Sequence, residues 1–153
     1  MSATQDIRNS DSQVAHKTMA KAAYDAQYRS MSELASNRGV AAPEVADASY
    51  YYDGLLTWGG VFYAVIGINF NDGVSFLGHS GGLVFGGGNA WGTAVLNRPL
   101  PPLKGQSVRF EANLLPGSSN VNFWLMDGTF LGTFIGAGIP GGAGVVGGQG
   151  SFS

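Results

Sequence analysis

The sequence contains no cysteine and few charged side chains. Without cysteine there is no disulfide framework, no thiolate nucleophile, and no zinc or iron–sulfur site with cysteine ligands. Charged residues make up 12% of the 153 residues and the net charge is −2. The chain therefore lacks the basic surface that follows a phosphate backbone, and we expect no nucleic-acid partner. The longest largely apolar stretch, residues 59–70, is too short to span a bilayer.

The composition divides the chain into two unlike segments. Residues 1–47 hold one glycine and 11 of the 18 charged residues, whereas residues 48–153 hold 24 glycines and 16 of the 18 aromatic residues. We therefore predict a polar N-terminal extension over 1–47, helical or disordered, and a glycine-rich β-barrel domain over 48–153.

The middle of the extension has the pattern of a helix. Ser12 can cap its start and Gly39 supplies a stop. Between them a narrow apolar face recurs at helical spacing, formed by Tyr24, Tyr28, Met31 and Ala35. Because this stripe buries little area, we expect the extension to pack loosely on the barrel or not at all, with a docking or delivery role as the alternative.

The larger segment has the pattern of an all-β domain, with short runs of β-branched and aromatic residues between Gly, Asp-Gly and Pro. The predicted strands are 49–52, 55–58, 61–70, 74–77, 83–85, 90–96, 107–114, 121–126, 129–135 and a last stretch to 152. Many short strands with regular turns predict a sandwich or a barrel. In a closed barrel, we expect these aromatic side chains to fill the interior: Phe70, Phe85, Trp91, Phe110, Phe123 and Phe130.

An approximate repeat runs through this segment. Asp72-Gly73 followed by Phe-Leu-Gly at 76–78 recurs as Asp127-Gly128 followed by Phe-Leu-Gly at 130–132. The shared order of elements indicates two related halves, with the two Asp-Gly turns equivalent. Halves that cannot each bury a face alone would close on one another as one barrel.

One motif matches the nucleophile elbow of esterases. Residues 78–82 read Gly-His-Ser-Gly-Gly, which satisfies G-x-S-x-G around Ser80. That elbow needs a strand, a helix, and a later histidine. The only other histidine besides His79 is His16, which is upstream, and no helical pattern follows Ser80. We therefore predict no hydrolase triad.

A second motif matches the dinucleotide fingerprint. Residues 136–141 satisfy G-x-G-x-x-G, whose mechanism requires a helix N-terminus to receive the pyrophosphate. Pro140 and the glycines that follow it forbid that helix, so the match is compositional.

The barrel domain has few residues that could take part in catalysis or bind a metal. Of its four carboxylates, three precede glycine, where aspartate serves a tight turn: Asp53, Asp72 and Asp127. Only Glu111 is left, so we expect no general acid/base pair, and two histidines cannot supply an ordinary zinc site. The tryptophans could line a sugar or lipid platform, but the core is favoured for them in so small a barrel: Trp58, Trp91 and Trp124. The sequence predicts no catalytic, cofactor-binding or metal site, and no enzymatic activity.

The glycine-rich stretches resemble a known family. Residues 81–93, which include Trp-Gly-Thr at 91–93, are similar to a stretch of the virulence-associated proteins (Vap family) of rhodococci. Residues 121–132 and 145–150 resemble that family's C-terminal half, and the resemblance covers roughly 50–152. It implies a compact eight-stranded antiparallel β-barrel of two related halves after an N-terminal extension. It also implies a secreted protein that acts on the host phagocyte's endolysosomal system and has no established catalytic residues.

The expected function is that of a secreted, non-enzymatic effector that contacts a host protein or a membrane lipid. Three alternatives stay open: a β-rich pore-forming toxin, a carbohydrate-binding barrel, and a structural coat protein. Residues 1–30 lack the basic end and apolar block of a secretory signal peptide, so the export route is open, as is the oligomeric state.

Overall fold

In a computed structural model of the chain, residues 3–37, 39, 50–115, 118–139 and 142–153 are described. One α-helix, α1, spans Ala3–Asn37. It is followed by six strands: β1 Tyr50–Phe70, β2 Ser75–Leu96, β3 Ser107–Leu115, β4 Ser118–Leu125, β5 Phe130–Ile139 and β6 Gly142–Phe152. Within this part of the chain, no helix combines the length and apolar character needed to cross a membrane.

All pairings between the strands are antiparallel, and they form a closed barrel. The C-terminal half of β2, residues 89–96, pairs with β5, and its N-terminal half, residues 76–86, pairs with β6. Strands β4 and β3 lie between β5 and β6 and complete the ring. Strand β1 pairs with β2 along its whole length. The prediction of eight strands is wrong, because the described residues form six, two of which continue through bends where the sequence predicted breaks.

Strand β1 continues through Asp53-Gly54, where the sequence predicted a break between two strands. Asp53-Gly54 was predicted as a turn, but both residues lie within β1. The Asp53 carboxylate accepts a hydrogen bond from Thr93 Oγ1 at 2.7 Å, and the backbone carbonyl of Asp53 accepts one from the Asn71 amide at 2.9 Å. A Cβ on Gly54 would lie 3.0 Å from the Asn69 carbonyl oxygen. Glycine is therefore needed where the two ends of β1 approach one another, not for a reversal of the chain.

The other two Asp-Gly turns are confirmed, and their geometries match. In each, the aspartate carboxylate accepts a hydrogen bond from the amide two residues later, at 3.0 Å for Asp72 and 2.9 Å for Asp127. The glycines that follow have φ of 87° and 93°, the left-handed conformation that glycine adopts at no steric cost. The turns join β1 to β2 and β4 to β5, which are equivalent hairpins in the repeat.

The Phe-Leu-Gly repeats, by contrast, are out of register by one residue. Phe76 is buried in the barrel interior, whereas Phe130 is buried outside it and Leu131 takes the interior position. A shift of one residue moves a side chain to the other face of a strand. The equivalent of Phe76 is therefore Leu131, which also lies 55 residues later, the offset of the Asp-Gly pairs.

The barrel interior is filled by apolar side chains around a cluster of rings. Phe76 contacts the rings of Phe110, Phe123 and Phe152 with centroids 5.0–5.6 Å apart. Phe70, Phe110 and Phe123 were predicted to lie here and do, as does Trp58. The prediction is wrong for Phe85, Trp91 and Phe130: the first two are exposed, and Phe130 lies under α1. Strand β2 is too rich in glycine for its inward face to be identified from alternation.

The predicted helix is present and packs on the outside of the barrel. It begins at Ala3, nine residues before the predicted cap, and ends at the predicted stop, where Gly39 has φ of 71°. Two of its side chains are buried in an outer cluster, defined by Ala20, Tyr24, Val95 and Phe130 with Tyr51 and Trp124 against it. The side chains of Met31 and Ala35, which belong to the predicted stripe, are not among those that the structure describes.

Candidate functional site

The esterase-like motif has no catalytic geometry. Ser80 and His79 are neighbours in an extended strand and point to opposite faces. Ser80 is buried, and its Oγ has no hydrogen-bond partner among the described residues. His79 is exposed, and its Nδ1 is 2.9 Å from the Tyr63 hydroxyl. The side chain of His16 lies outside the described residues. No base within the described residues is placed to activate Ser80.

Neither the G-x-G-x-x-G motif nor the residues that could ligate a metal form a site within the described part of the chain. Residues 136–139 belong to β5, so the G-x-G-x-x-G match begins in a strand; Pro140 and Gly141 lie outside the described residues. No three side chains of His, Asp or Glu come together in the part of the chain that the structure describes.

The most distinctive surface lies where β1 bends. Between Val61 and Tyr63 the pairing with β2 shifts register, and Phe62 is left without a partner in a bulge. Phe62 has φ of 61°, a conformation that a bulky side chain rarely adopts, and 69% of its surface is exposed. The bend requires glycine at position 60, where a Cβ would clash with the Tyr63 carbonyl oxygen. The backbone thus holds an aromatic ring in solvent at some conformational cost.

Apolar side chains from three further strands surround this bulge. The ring of Phe85 lies 6.0 Å from that of Phe62, edge to face. Phe85 also lines a shallow apolar groove of about 430 Å³ with Leu115 and Val145. We call this surface the apolar end, defined by five side chains that are each 56–69% exposed: Val61, Phe62, Phe85, Leu115 and Val145.

The charged residues of the barrel lie away from the apolar end. Five of the seven are at the opposite end, near the Asp-Gly turns and the connection after β2: Asp53, Asp72, Arg98, Lys104 and Asp127. The hydrogen bond from the Thr129 amide lowers the pKa of Asp127 below its usual value. The remaining two, Arg109 and Glu111, are on the side wall.

This segregation gives the barrel an apolar pole and a charged pole. Exposed apolar patches on proteins mark contacts with other macromolecules or with membranes. The apolar end was not predicted from the sequence, because Phe85 was expected in the interior and Phe62 had no predicted role. One signal was available: no charged residue occurs over 54–71, 73–97 or 128–153, the segments that supply most of this end.

Comparisons with known proteins give one family. The chain matches the model of the Rhodococcus equi virulence-associated protein family over residues 2–153. It is similar to the solved structure of the virulence-associated protein VapB from the intracellular pathogen Rhodococcus equi, with 30% identity and a TM-score of 0.60; the match covers 68% of this chain and 96% of that chain. It is also similar to that of VapD from Rhodococcus equi, with 25% identity, a TM-score of 0.62 and coverage of 68% and 97%. Curated protein sequences give no significant match.

Proposed function

Since this chain belongs to the Rhodococcus equi virulence-associated protein family, as its glycine-rich motifs predicted, we propose that it is a secreted, non-enzymatic effector that acts by contact with a host membrane. The contact is made by the apolar end. The observation that carries the proposal is the exposure of Phe62 and Phe85 at a pole that holds none of the seven charged side chains of the barrel domain.

The chemistry of the apolar end favours a lipid bilayer over a protein partner. Protein interfaces combine an apolar centre with a polar rim and regular hydrogen bonds. Here the five exposed side chains are aliphatic or aromatic, and glycines lie between them. The basic side chains Arg98 and Lys104 are at the opposite end, so the attraction is hydrophobic and does not require anionic lipid.

The size of the apolar end is sufficient for reversible membrane binding. Full burial of a Val, Leu or Phe side chain stabilises by about 1.5–3 kcal/mol. Each of the five side chains is more than half exposed, so each has about 1–2 kcal/mol to gain on entering the interface. Part of the sum is offset by the loss of rotational and translational freedom on binding.

Cosedimentation with phosphatidylcholine vesicles tests the proposal. The chain is expected to bind, and the double variant Phe62→Ser with Phe85→Ser should bind at least about tenfold more weakly, since it loses two of the five apolar anchors. Leu77→Ser is the matched control, because Leu77 is 50% exposed on the side wall rather than at the apolar end. Release of an entrapped dye would favour the pore-forming alternative. Equal binding by all three proteins would contradict the proposed site.

The non-enzymatic part of the proposal has a separate test. Ser80→Ala and His79→Ala should each leave activity on target cells unchanged, because Ser80 is buried with no base beside it among the described residues and the His79 side chain is engaged by the Tyr63 hydroxyl. Circular dichroism checks that both variants fold. A large loss of activity in a folded variant would contradict this part and leave the membrane contact standing.

A further inference from the structure

A second surface, on the side wall of the barrel, has the opposite character to the apolar end. It is an open groove of about 870 Å³ on the outer faces of β4, β3 and β6. We call it the side-wall groove, defined by the side chains of Arg109, Glu111, Trp124 and Gln149 and by the backbone of Gly147.

The strand register places these side chains in two rows. Trp124, Arg109 and Gln149 are directly opposite one another on three adjacent strands, which spans two strand spacings or about 10 Å. Glu111 and Gly147 form the next outward-facing row, about 7 Å further along the strands. At position 147 a Cβ would meet only the Phe110 carbonyl oxygen, at 3.5 Å. Glycine therefore leaves the floor open beside Glu111, where any side chain would fill it.

The polar groups of the groove are not used by the fold. Neither the Arg109 nor the Glu111 side chain has a hydrogen bond or an ion pair with another described residue, and both are exposed. A guanidinium offers a fork of N–H donors and a carboxylate offers only acceptors. Two residues apart on one face of β3, they present donors and acceptors side by side with no net charge.

Trp124 supplies an apolar wall that the fold holds in place. It is half-buried, and its ring packs against Phe130 with centroids 5.7 Å apart. Phe130 is in turn held by Tyr24 of α1, at 5.3 Å. A preorganised aromatic ring next to free donors and acceptors is the composition of a site for small polar ligands with one apolar face.

From this arrangement we infer that the side-wall groove binds a neutral sugar unit of a glycan. The apolar face of the sugar ring packs on Trp124, and neighbouring hydroxyl groups accept from Arg109 and donate to Glu111. A hydroxyl group can do both, whereas a phosphate or a carboxylate can only accept and would be repelled by Glu111. The groove is separate from the apolar end, so this inference stands or falls independently of the membrane contact.

A printed array of neutral and sialylated oligosaccharides, probed with the full chain, tests the inference. We expect binding to neutral oligosaccharides, and titration of the best of these should show a loss of about tenfold or more for Arg109→Gln and for Glu111→Gln, since each removes hydrogen bonds to a charged group. Trp124→Ala should also weaken binding, and Trp124→Phe should restore part of it.

Matched controls separate the groove from general effects of charge and aromatic content. Lys104→Gln removes an exposed charge at the charged pole, and Trp91→Ala removes a tryptophan that is 62% exposed outside the groove. Both should bind the sugar as the unmodified chain does. All groove variants should still bind phosphatidylcholine vesicles. The inference is overturned by no glycan binding, by binding that Arg109→Gln and Glu111→Gln leave unchanged, or by binding confined to sialylated glycans and strengthened by Glu111→Gln.

Discussion

Two glycines of β2 differ sharply in what surrounds them. A Cβ on Gly92 would lie 1.9 Å from the Ile135 carbonyl oxygen, because β2 and β5 approach closely there. A Cβ on Gly81 would meet nothing within 4 Å. Packing therefore requires glycine at position 92, whereas no neighbouring atom requires it at position 81. Composition alone could not separate the two, because the sequence shows only that glycine is frequent.

This contrast gives a paired prediction. Gly92→Ala should lower the free energy of unfolding by about 3 kcal/mol, because the backbone of β5 must move. Gly81→Ala should leave it unchanged or raise it by up to about 1 kcal/mol, since alanine restricts the unfolded chain. Urea denaturation of both variants measures the two values. Equal destabilisation would mean that the close approach of β2 and β5 is wrong.

At the scale of elements, the sequence predicted well where its chemistry was specific. The two Asp-Gly hairpin turns and the stop of α1 at Gly39 are confirmed because they depend on local backbone preferences. The strand predicted over 107–114 is also confirmed, as β3. The lengths of β1 and β2 were missed, since a glycine can mark a bend within a strand as well as its end. The apolar end was missed for the same reason, because it forms at those bends.

The docking of α1 gives a prediction at this scale. Its described buried contacts are few, chiefly Ala20 and Tyr24, and Tyr24 also accepts a hydrogen bond from the Asn97 side chain at 3.2 Å. At about 25 cal/mol per Å², the area they cover stabilises by a few kcal/mol, which the entropy of ordering the helix largely offsets. A chain that begins at Ala48 should therefore fold with a melting temperature close to that of the full chain.

Thermal unfolding of the full chain, the shortened chain and Tyr24→Ala checks this expectation. Tyr24→Ala should resemble the shortened chain, because both remove the same contact with Phe130. A melting temperature more than about ten degrees lower in the shortened chain would correspond to several kcal/mol and make α1 part of the fold.

At the scale of the whole molecule, the pairing order follows the repeat. The N-terminal half of β2 pairs with β6, and the C-terminal half of β2 pairs with β5 in the equivalent way. Each of these two pairings joins one half of the domain to the other. This closure brings the bends and strand ends without charge to one pole and five of the seven charged residues of the barrel domain to the other. The sequence predicted a closed antiparallel barrel, but not this polarity, because polarity depends on which bends come together in space.

The orientation of the barrel at a bilayer is the central claim, and depth-dependent quenching measures it directly. Phe62→Trp places a fluorophore at the apolar end, and Leu77→Trp places one on the side wall at similar exposure. With phosphatidylcholine vesicles that carry brominated acyl chains, and with the emission of the unmodified chain subtracted, we expect quenching of Phe62→Trp and little change in Leu77→Trp. Equal quenching of both, or quenching of Leu77→Trp alone, would contradict the account.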